Sequence, residues 1–393
     1  MKELRRILVV MLLVALVAGC GGEKTAAPVK PAETKPAAMA ETTQSSEPAK
    51  EEAPAAVKTS DLAGWEDIEL TADRQELDLS GRGISDLTPL LACPDVVALD
   101  LSENALTTES IGVLGRLTKL ERLNLAYNEI SDIAALKGLT RLTELDLLWN
   151  QVSDISVLKG LTELQALNLW GNDVKDLSPV AGLTKLTRLY VGDNEIADLS
   201  ALAGLKNLKW LDARSNHLQS VQGLEGLTGL THLFLQKNEI ADLSGISGLT
   251  ALTELNLSDN AIADAEDLAG LLNLKSLLLD GNKLTEVSEL AHLINLTELG
   301  VYDNDIADLT GVSGMEMLEI LDAEDNEITD VAELYGMKNL REIYLEDNEV
   351  SDISALSHVP LLERVTLSGN PVPAEQVEDL REAKPGCSVS FSE

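Results

Sequence analysis

Thirteen asparagines stand on a near-constant ruler in this 393-residue chain: Asn104, Asn128, Asn150, Asn172, Asn194, Asn216, Asn238, Asn260, Asn282, Asn304, Asn326, Asn348 and Asn370. The first gap is 24 residues and every later one is 22. A fixed period of this size marks a solenoid. Each unit is a short element that cannot bury its apolar side alone and does so by stacking on its neighbours. Such stacks present one long, regular surface, suited to binding more than to catalysis.

One unit runs from Asn128 through Ile130, Asp132, Ile133, Leu136, Gly138, Leu139, Leu142, Leu145 and Leu147 to Asn150. Leu145 and Leu147 are two apart, so both point to one side of a short strand. Leu136, Leu139 and Leu142 follow a three-residue period, which suits a 3₁₀ turn. The pattern L-x-x-L-x-L-x-x-N-x-I-x-D-I/L, repeated from roughly Leu77 to Asn370, resembles the leucine-rich-repeat family in its 22-residue class. That class includes the bacterial internalins and the leucine-rich regulatory subunit of protein phosphatase 1. The resemblance implies an α/β solenoid: a curved rod with a parallel β-sheet on its concave face and 3₁₀ or short helical turns on its convex face. An atypical first unit carries Arg82 at the asparagine position, and counting it gives about 14 units. Their sheet would be roughly 60 Å long.

The recurring polar residues have mechanical readings. The asparagine can bond neighbouring backbone groups and form an internal ladder. An aspartate recurs four residues later, at Asp132, Asp154, Asp176, Asp198, Asp242, Asp264, Asp308, Asp330 and Asp352, where it can accept free N–H groups at the start of a turn. A glycine recurs ten residues after the asparagine, at Gly138, Gly160, Gly182, Gly204, Gly226, Gly248, Gly270, Gly314 and Gly336. There a helical turn is expected to end with positive φ. The 24-residue unit contains Thr108 to Leu114, read as a fuller helical turn.

The N-terminus has a basic head (Lys2, Arg5, Arg6), an apolar stretch from Ile7 to Ala18, then Gly19 and Cys20. This is the layout of a secretory signal, and it is short for a membrane span. Val17-Ala18-Gly19-Cys20 resembles a bacterial lipobox. By that resemblance residues 1–19 are a lipoprotein signal peptide and Cys20 becomes the lipidated, palmitate-bearing N-terminus. Gly21 suits outer-membrane sorting in a cell with two membranes. The alternative is an ordinary signal peptide with an incidental cysteine. From Cys20 to residue 60 the chain is rich in Ala, Pro, Glu, Lys and Thr and reads as a disordered tether. Residues 61–76, with Trp65, Ile68 and Leu70, read as an N-terminal cap, and 77–370 as the repeat domain. In 371–393 we read a short amphipathic helix, then a strand with Cys387, Val389 and Phe391 on one side. It forms a C-terminal cap that covers the last core layer and the sheet edge. Cys93 takes the place of a core leucine and reads as a small buried hydrophobe.

Function is sought on the strand residues between the core leucines, six, four, two and one before each asparagine. Of 11 aromatic residues, eight fall there: Tyr127, Trp149, Trp170, Tyr190, Trp210, Phe234, Tyr302 and Tyr344. Those from Trp149 to Phe234 come from consecutive strands, with Leu148 beside them, and predict a contiguous exposed aromatic strip. Three readings compete: rings bracing one another on a β surface, a protein-binding hot spot, and stacking on the rings of a glycan. Acids gather toward the C-terminal half at Asp259, Asp280, Asp303, Glu324, Asp325, Glu346 and Asp347, in a chain of net charge −36. They read as a solvated surface, as steering for a basic partner, or as weak Ca²⁺ sites, though no EF-hand-like loop accompanies them. Nucleic acid is disfavoured, because phosphate binding needs a basic surface.

Signs of catalysis are sparse. No G-x-S-x-G, H-E-x-x-H or P-loop occurs. Of the four histidines, His292 and His358 replace the turn glycine, while His217 and His232 read as surface residues without metal-site spacing. We expect no cofactor and no enzyme. The expectation is a lipid-anchored protein of the bacterial cell envelope, facing the periplasm or the exterior, that binds a protein through its concave face. The rivals are an envelope spacer or self-assembling rod, and a Ca²⁺- or glycan-binding protein. Internalins bind host receptors through such a face. The 23 residues after Asn370 are not expected to hold the immunoglobulin-like module of internalins.

Overall fold

A computed structural model describes residues 62–392. The expected signal peptide, Cys20 and tether lie outside the described residues. Fifteen short strands form one parallel sheet in strictly sequential order. The first eight are β1 (Glu76–Asp78), β2 (Ala98–Asp100), β3 (Arg122–Asn124), β4 (Glu144–Asp146), β5 (Ala166–Asn168), β6 (Arg188–Tyr190), β7 (Trp210–Asp212) and β8 (His232–Phe234). Then follow β9 (Glu254–Asn256), β10 (Ser276–Leu278), β11 (Glu298–Gly300), β12 (Ile320–Asp322), β13 (Glu342–Tyr344), β14 (Arg364–Thr366) and β15 (Ser388–Ser390).

Register is kept by the middle residue of each strand, leucine in β1 to β12 and Ile343, Val365 and Val389 in the last three. Leu145 pairs with Leu123 on one side and Leu167 on the other. This leucine, the one two residues later and the three on the turn are all buried, and they join into a single core running the length of the repeats. A one-residue slip would turn that entire row outward, so burial enforces the pairing.

The asparagine ladder closes each unit. Asn194 is 8% exposed. Its Nδ2 donates to the carbonyls of Val191 (3.1 Å), Gly192 (2.9 Å) and Leu169 of the previous unit (2.9 Å). Its Oδ1 accepts from the Val174 amide at 2.9 Å. The same set recurs at Asn172 and Asn216. One side chain thus bonds backbone groups of two units, and successive asparagines share carbonyls such as Leu169 and Val191.

The aspartates four residues on start the turns. Oδ1 of Asp154, Asp176, Asp198 and Asp352 accepts from the amide of the serine two residues later at 2.7–2.9 Å. Most units continue in a 3₁₀ turn, the longest being Ser110–Arg116 in the 24-residue unit. The recurring glycines depart from expectation. Only Gly138 (φ 106°) and Gly336 (φ 74°) lie at positive φ, each after a residue with ψ near 120°. That geometry is a type II turn. The other seven keep ordinary φ. At Gly314 the need is proximity: a Cβ there would stand 2.5 Å from the Ala291 carbonyl oxygen.

At the N-terminal end Trp65 is fully buried, and its Nε1 donates to the Asp86 carbonyl at 2.9 Å. At the other end helix α1 (Ala374–Ala383) takes the place of a turn. Gln376 Oε1 accepts the Ile353 amide at 2.8 Å, and β15 pairs with β14. Cys93 is buried, which pushes its thiol pKa up.

Replacing Asn194 by alanine leaves the Val174 amide unpaired and takes one of two donors from the carbonyls of Leu169, Val191 and Gly192, which keep Asn172, Asn216 and the Gly171 amide. We expect a loss of about 1–3 kcal/mol in urea unfolding. A change below about 0.5 kcal/mol would show that water serves those groups equally well.

Candidate functional site

The residue before each ladder asparagine is where the chain turns out of the strand, and it takes the left-handed backbone conformation. Tyr127 has φ 55°, Trp149 50°, Asp193 52°, Asp259 55°, Asp303 53°, Asp325 50° and Asp347 55°. Glycine holds this place at Gly81, Gly171, Gly281 and Gly369. Glycine and, among other residues, aspartate and asparagine tolerate this region best. Four of the seven acids read as a concave patch, Asp259, Asp303, Asp325 and Asp347, therefore have a backbone reason to be aspartate. Of the other three, Asp280 and Glu324 are buried and Glu346 is half-buried. Asp280 accepts from the Ser258 hydroxyl at 3.2 Å and the Tyr302 amide at 3.2 Å, and Glu324 from the Thr366 hydroxyl at 3.3 Å. The patch is thus a mixture of turn residues and inward-turned side chains. Among the described residues no three His, Cys, Asp or Glu side chains gather as a metal site.

The aromatic residues also divide, and the expectation of one exposed strip is corrected. From Trp149 to Trp210 they step diagonally across the sheet, because each occupies a different place on its strand. Trp149 follows β4, Trp170 follows β5, Tyr190 ends β6 and Trp210 opens β7. Only Tyr127 and Trp149 are prominently exposed, each at 48%. Trp170, Tyr190, Trp210, Phe234, Tyr302 and Tyr344 are half-buried.

Around β7 the rings close on one another. Trp210 stacks on His232 (4.3 Å, 19°) and tilts against Phe234 (5.2 Å) and Tyr190 (6.3 Å). Arg214 lies over Trp170 at 4.7 Å and Phe234 at 5.4 Å. Its Nε and Nη2 donate to Asp212 Oδ1 (2.8 Å) and Oδ2 (2.6 Å). Asp212 is 2% exposed, and burial pushes its carboxyl pKa up while the Arg214 hydrogen bonds pull the other way. Trp210 Nε1 is buried without a hydrogen-bond partner. This is a brace of rings clamped by a bidentate ion pair. His232, read above as a surface residue, belongs to it, with Thr231 Oγ1 2.9 Å from its Nδ1. Sequence reading missed Asp212 and Arg214. The signal was present: an i, i+2 acid–base pair lies on one face between two aromatic positions.

Trp149 behaves differently. A Cβ built on Gly171 would stand 2.8 Å from Trp149 Cδ2, so the indole lies on the glycine backbone of the next unit. Asp259 leans over Gly281 and Asp347 over Gly369 in the same manner. Tyr302 and Tyr344 stand apart from both groups. The Tyr344 hydroxyl donates to Glu342, and burial, with that carboxylate, pushes its pKa up to about 12.

Arg214→Ala tests the brace. A raised carboxylate pKa contributes stability that is fully present below the unfolded value, about 4. It is lost as pH rises through the folded value. At neutral pH Asp212 is therefore a burden that Arg214 offsets. Removing Arg214 should cost about 3 kcal/mol at pH 7, and less at pH 5, measured by urea unfolding. A loss independent of pH would assign Arg214 to packing alone.

Comparison with known proteins accords with this architecture. Leucine-rich-repeat models match residues 94–152 and 162–218, and two-copy leucine-rich-repeat models match 228–270 and 316–358. No curated protein sequence gives a significant match. An internalin of Listeria monocytogenes, InlF, is similar at 29% identity and a TM-score of 0.72, over 75% of this chain and 87% of that one. A leucine-rich-repeat protein of Leptospira interrogans shares the fold at 24% identity and a TM-score of 0.67, over 81% of this chain and 96% of that one. The APL1 leucine-rich-repeat domain shares it at 18% identity and 0.68, over 81% and 91%. With repeat models covering just over half of the sequence and one parallel sheet carrying every strand, the chain belongs to the leucine-rich-repeat family.

Proposed function

We propose that this chain is a non-enzymatic, lipid-anchored protein of the bacterial cell envelope that binds a protein partner through its concave sheet face. Leucine-rich repeats are protein-binding scaffolds, and their concave sheets are their usual contact surfaces. The observation that carries the reading is the placement of Tyr127 and Trp149. Both rings are 48% exposed and both sit in the left-handed conformation. That conformation is unfavourable for bulky residues by about 1–2 kcal/mol. Neither ring fills the core, and other units meet the same backbone need with glycine, aspartate or the unbranched or small polar side chains of Glu103, Ser215 and Lys237. Exposed aromatics held at such a cost on a rigid surface have the character of interface anchors. Anchoring at Cys20 is supported by the basic head, apolar stretch and lipobox-like end of residues 1–20.

Envelope extract passed over the immobilised protein tests the binding. A partner retained by the native chain should be lost by Trp149→Ala and Tyr127→Ala together. It should be retained by Tyr335→Ala, which removes an exposed ring of the turn side. Equal recovery by all three would remove the ledge as a contact site and leave a spacer role ahead. For the anchor, cells fed radiolabelled palmitate should label the native protein and not Cys20→Ala; label on both would contradict lipidation at that residue.

A further inference from the structure

We propose that Tyr127 and Trp149 form a seat for a cationic side chain, arginine above all, so that the partner presents a basic segment to this end of the concave face. The inference rests on the protein-binding reading above and names the chemistry of the partner.

The first argument is charge around the rings. Glu103 and Asp193 flank Tyr127, Trp149 and Gly171 in the same left-handed row. Glu129 and Asp173 stand two residues beyond Tyr127 and Gly171, and all four acids are exposed. Among the described residues, none of the four has a basic side chain paired with it in a salt bridge. The bases of the neighbouring strands are already engaged: Arg122 with Glu76 at 3.0 Å, Arg188 with Glu144 at 3.4 Å, and Arg214 with Asp212 at 2.6 Å. Lys175, within electrostatic reach of Asp173, is itself paired with Glu195 at 2.7 Å, so among the described residues the rings sit in a local excess of negative charge.

The second argument is the inner cluster, which displays the same interaction completed. There a guanidinium lies on Trp170 and Phe234 while a carboxylate holds its N–H groups. Trp149 offers the same pair of elements, an aromatic face and nearby carboxylates, at an exposed site. Gly171 lets the indole lie close against the backbone on one side, and the other side faces solvent. A cation over an aromatic face is attracted by the ring quadrupole, and a planar guanidinium also stacks on it. Carboxylates at the rim add attraction that salt screens.

Fluorescence anisotropy with labelled hexa-arginine, hexa-lysine, hexa-glutamate and Gly-Ser hexapeptides tests this on the full chain, at low and at physiological salt. Hexa-arginine should bind more tightly than hexa-lysine, and the other two should not bind. Trp149→Ala should weaken hexa-arginine about fivefold to tenfold, and Trp149→Phe should restore most of the loss. The variant Asp303→Asn, Asp325→Asn, Asp347→Asn removes three negative charges far from the rings and should weaken it less than Trp149→Ala does. Absent hexa-arginine binding, equal binding by native and Trp149→Ala, or a larger loss in the asparagine variant would each overturn the seat. If the envelope partner still depends on Trp149 in any of those cases, the protein-binding reading stands and only its cationic chemistry fails. If that dependence is missing as well, both fail together.

Discussion

Everything in this molecule hangs on one buried amide per unit. A chain that leaves a parallel strand and reverses must abandon several carbonyl and amide groups in an apolar layer. Each of them costs on the order of 1–3 kcal/mol if left unpaired. The ladder asparagine meets three carbonyls and one amide with a single side chain, and it does so across two units. Because it bonds to the previous unit, it fixes the stacking as well as the turn. The residue before it then takes the left-handed conformation, which turns that side chain out beside the sheet. The fold therefore generates a row of outward side chains along the rim that contribute little to the core.

That row and the sheet proper have different uses. On the sheet, Trp210, Phe234, Trp170 and Tyr190 are held by each other, by His232 and by the Asp212–Arg214 pair. Rings used in this way stiffen the middle of the face and have little area left to offer. On the rim, Trp149 lies against Gly171, and both it and Tyr127 keep nearly half their surface in water. A stiff floor beside a free aromatic ledge is the preorganised arrangement that lets a few anchors contribute most of a contact's free energy.

Much of this was legible in the residues. The 22-residue spacing placed the strands and turns, because a period of two for Leu145 and Leu147 and of three for Leu136, Leu139 and Leu142 admits few other geometries. The aspartate caps followed from the same logic, since a free amide at a turn start needs an acceptor. The recurring glycines were misread because spacing does not tell positive φ, as at Gly138, from close approach, as at Gly314, or from a place such as Gly160 that requires neither. The aromatic strip was misread for a related reason. Alternation and the count back from the asparagine tell which face a ring is on and how far along the strand it lies, but not how much of it its neighbours cover. Trp210 at the start of β7 and Trp149 beyond the end of β4 share a face and differ sharply in surroundings. The Asp212–Arg214 clamp decides that difference, and it shows in the sequence only once the rings on its neighbouring strands are known.

The division of the sheet face is the central claim, and the chain's four tryptophans report on it directly. Labelled with 5-fluorotryptophan, the protein should give four fluorine resonances whose shifts on exchange from H₂O to D₂O measure contact with water. One resonance, assigned to Trp149 by its loss in Trp149→Phe, should shift most. Trp170 and Trp210 should shift distinctly less, and Trp65 should not shift at all. A Trp210 resonance as responsive to solvent as that of Trp149 would contradict the account, because the braced floor and the free ledge would then be one surface.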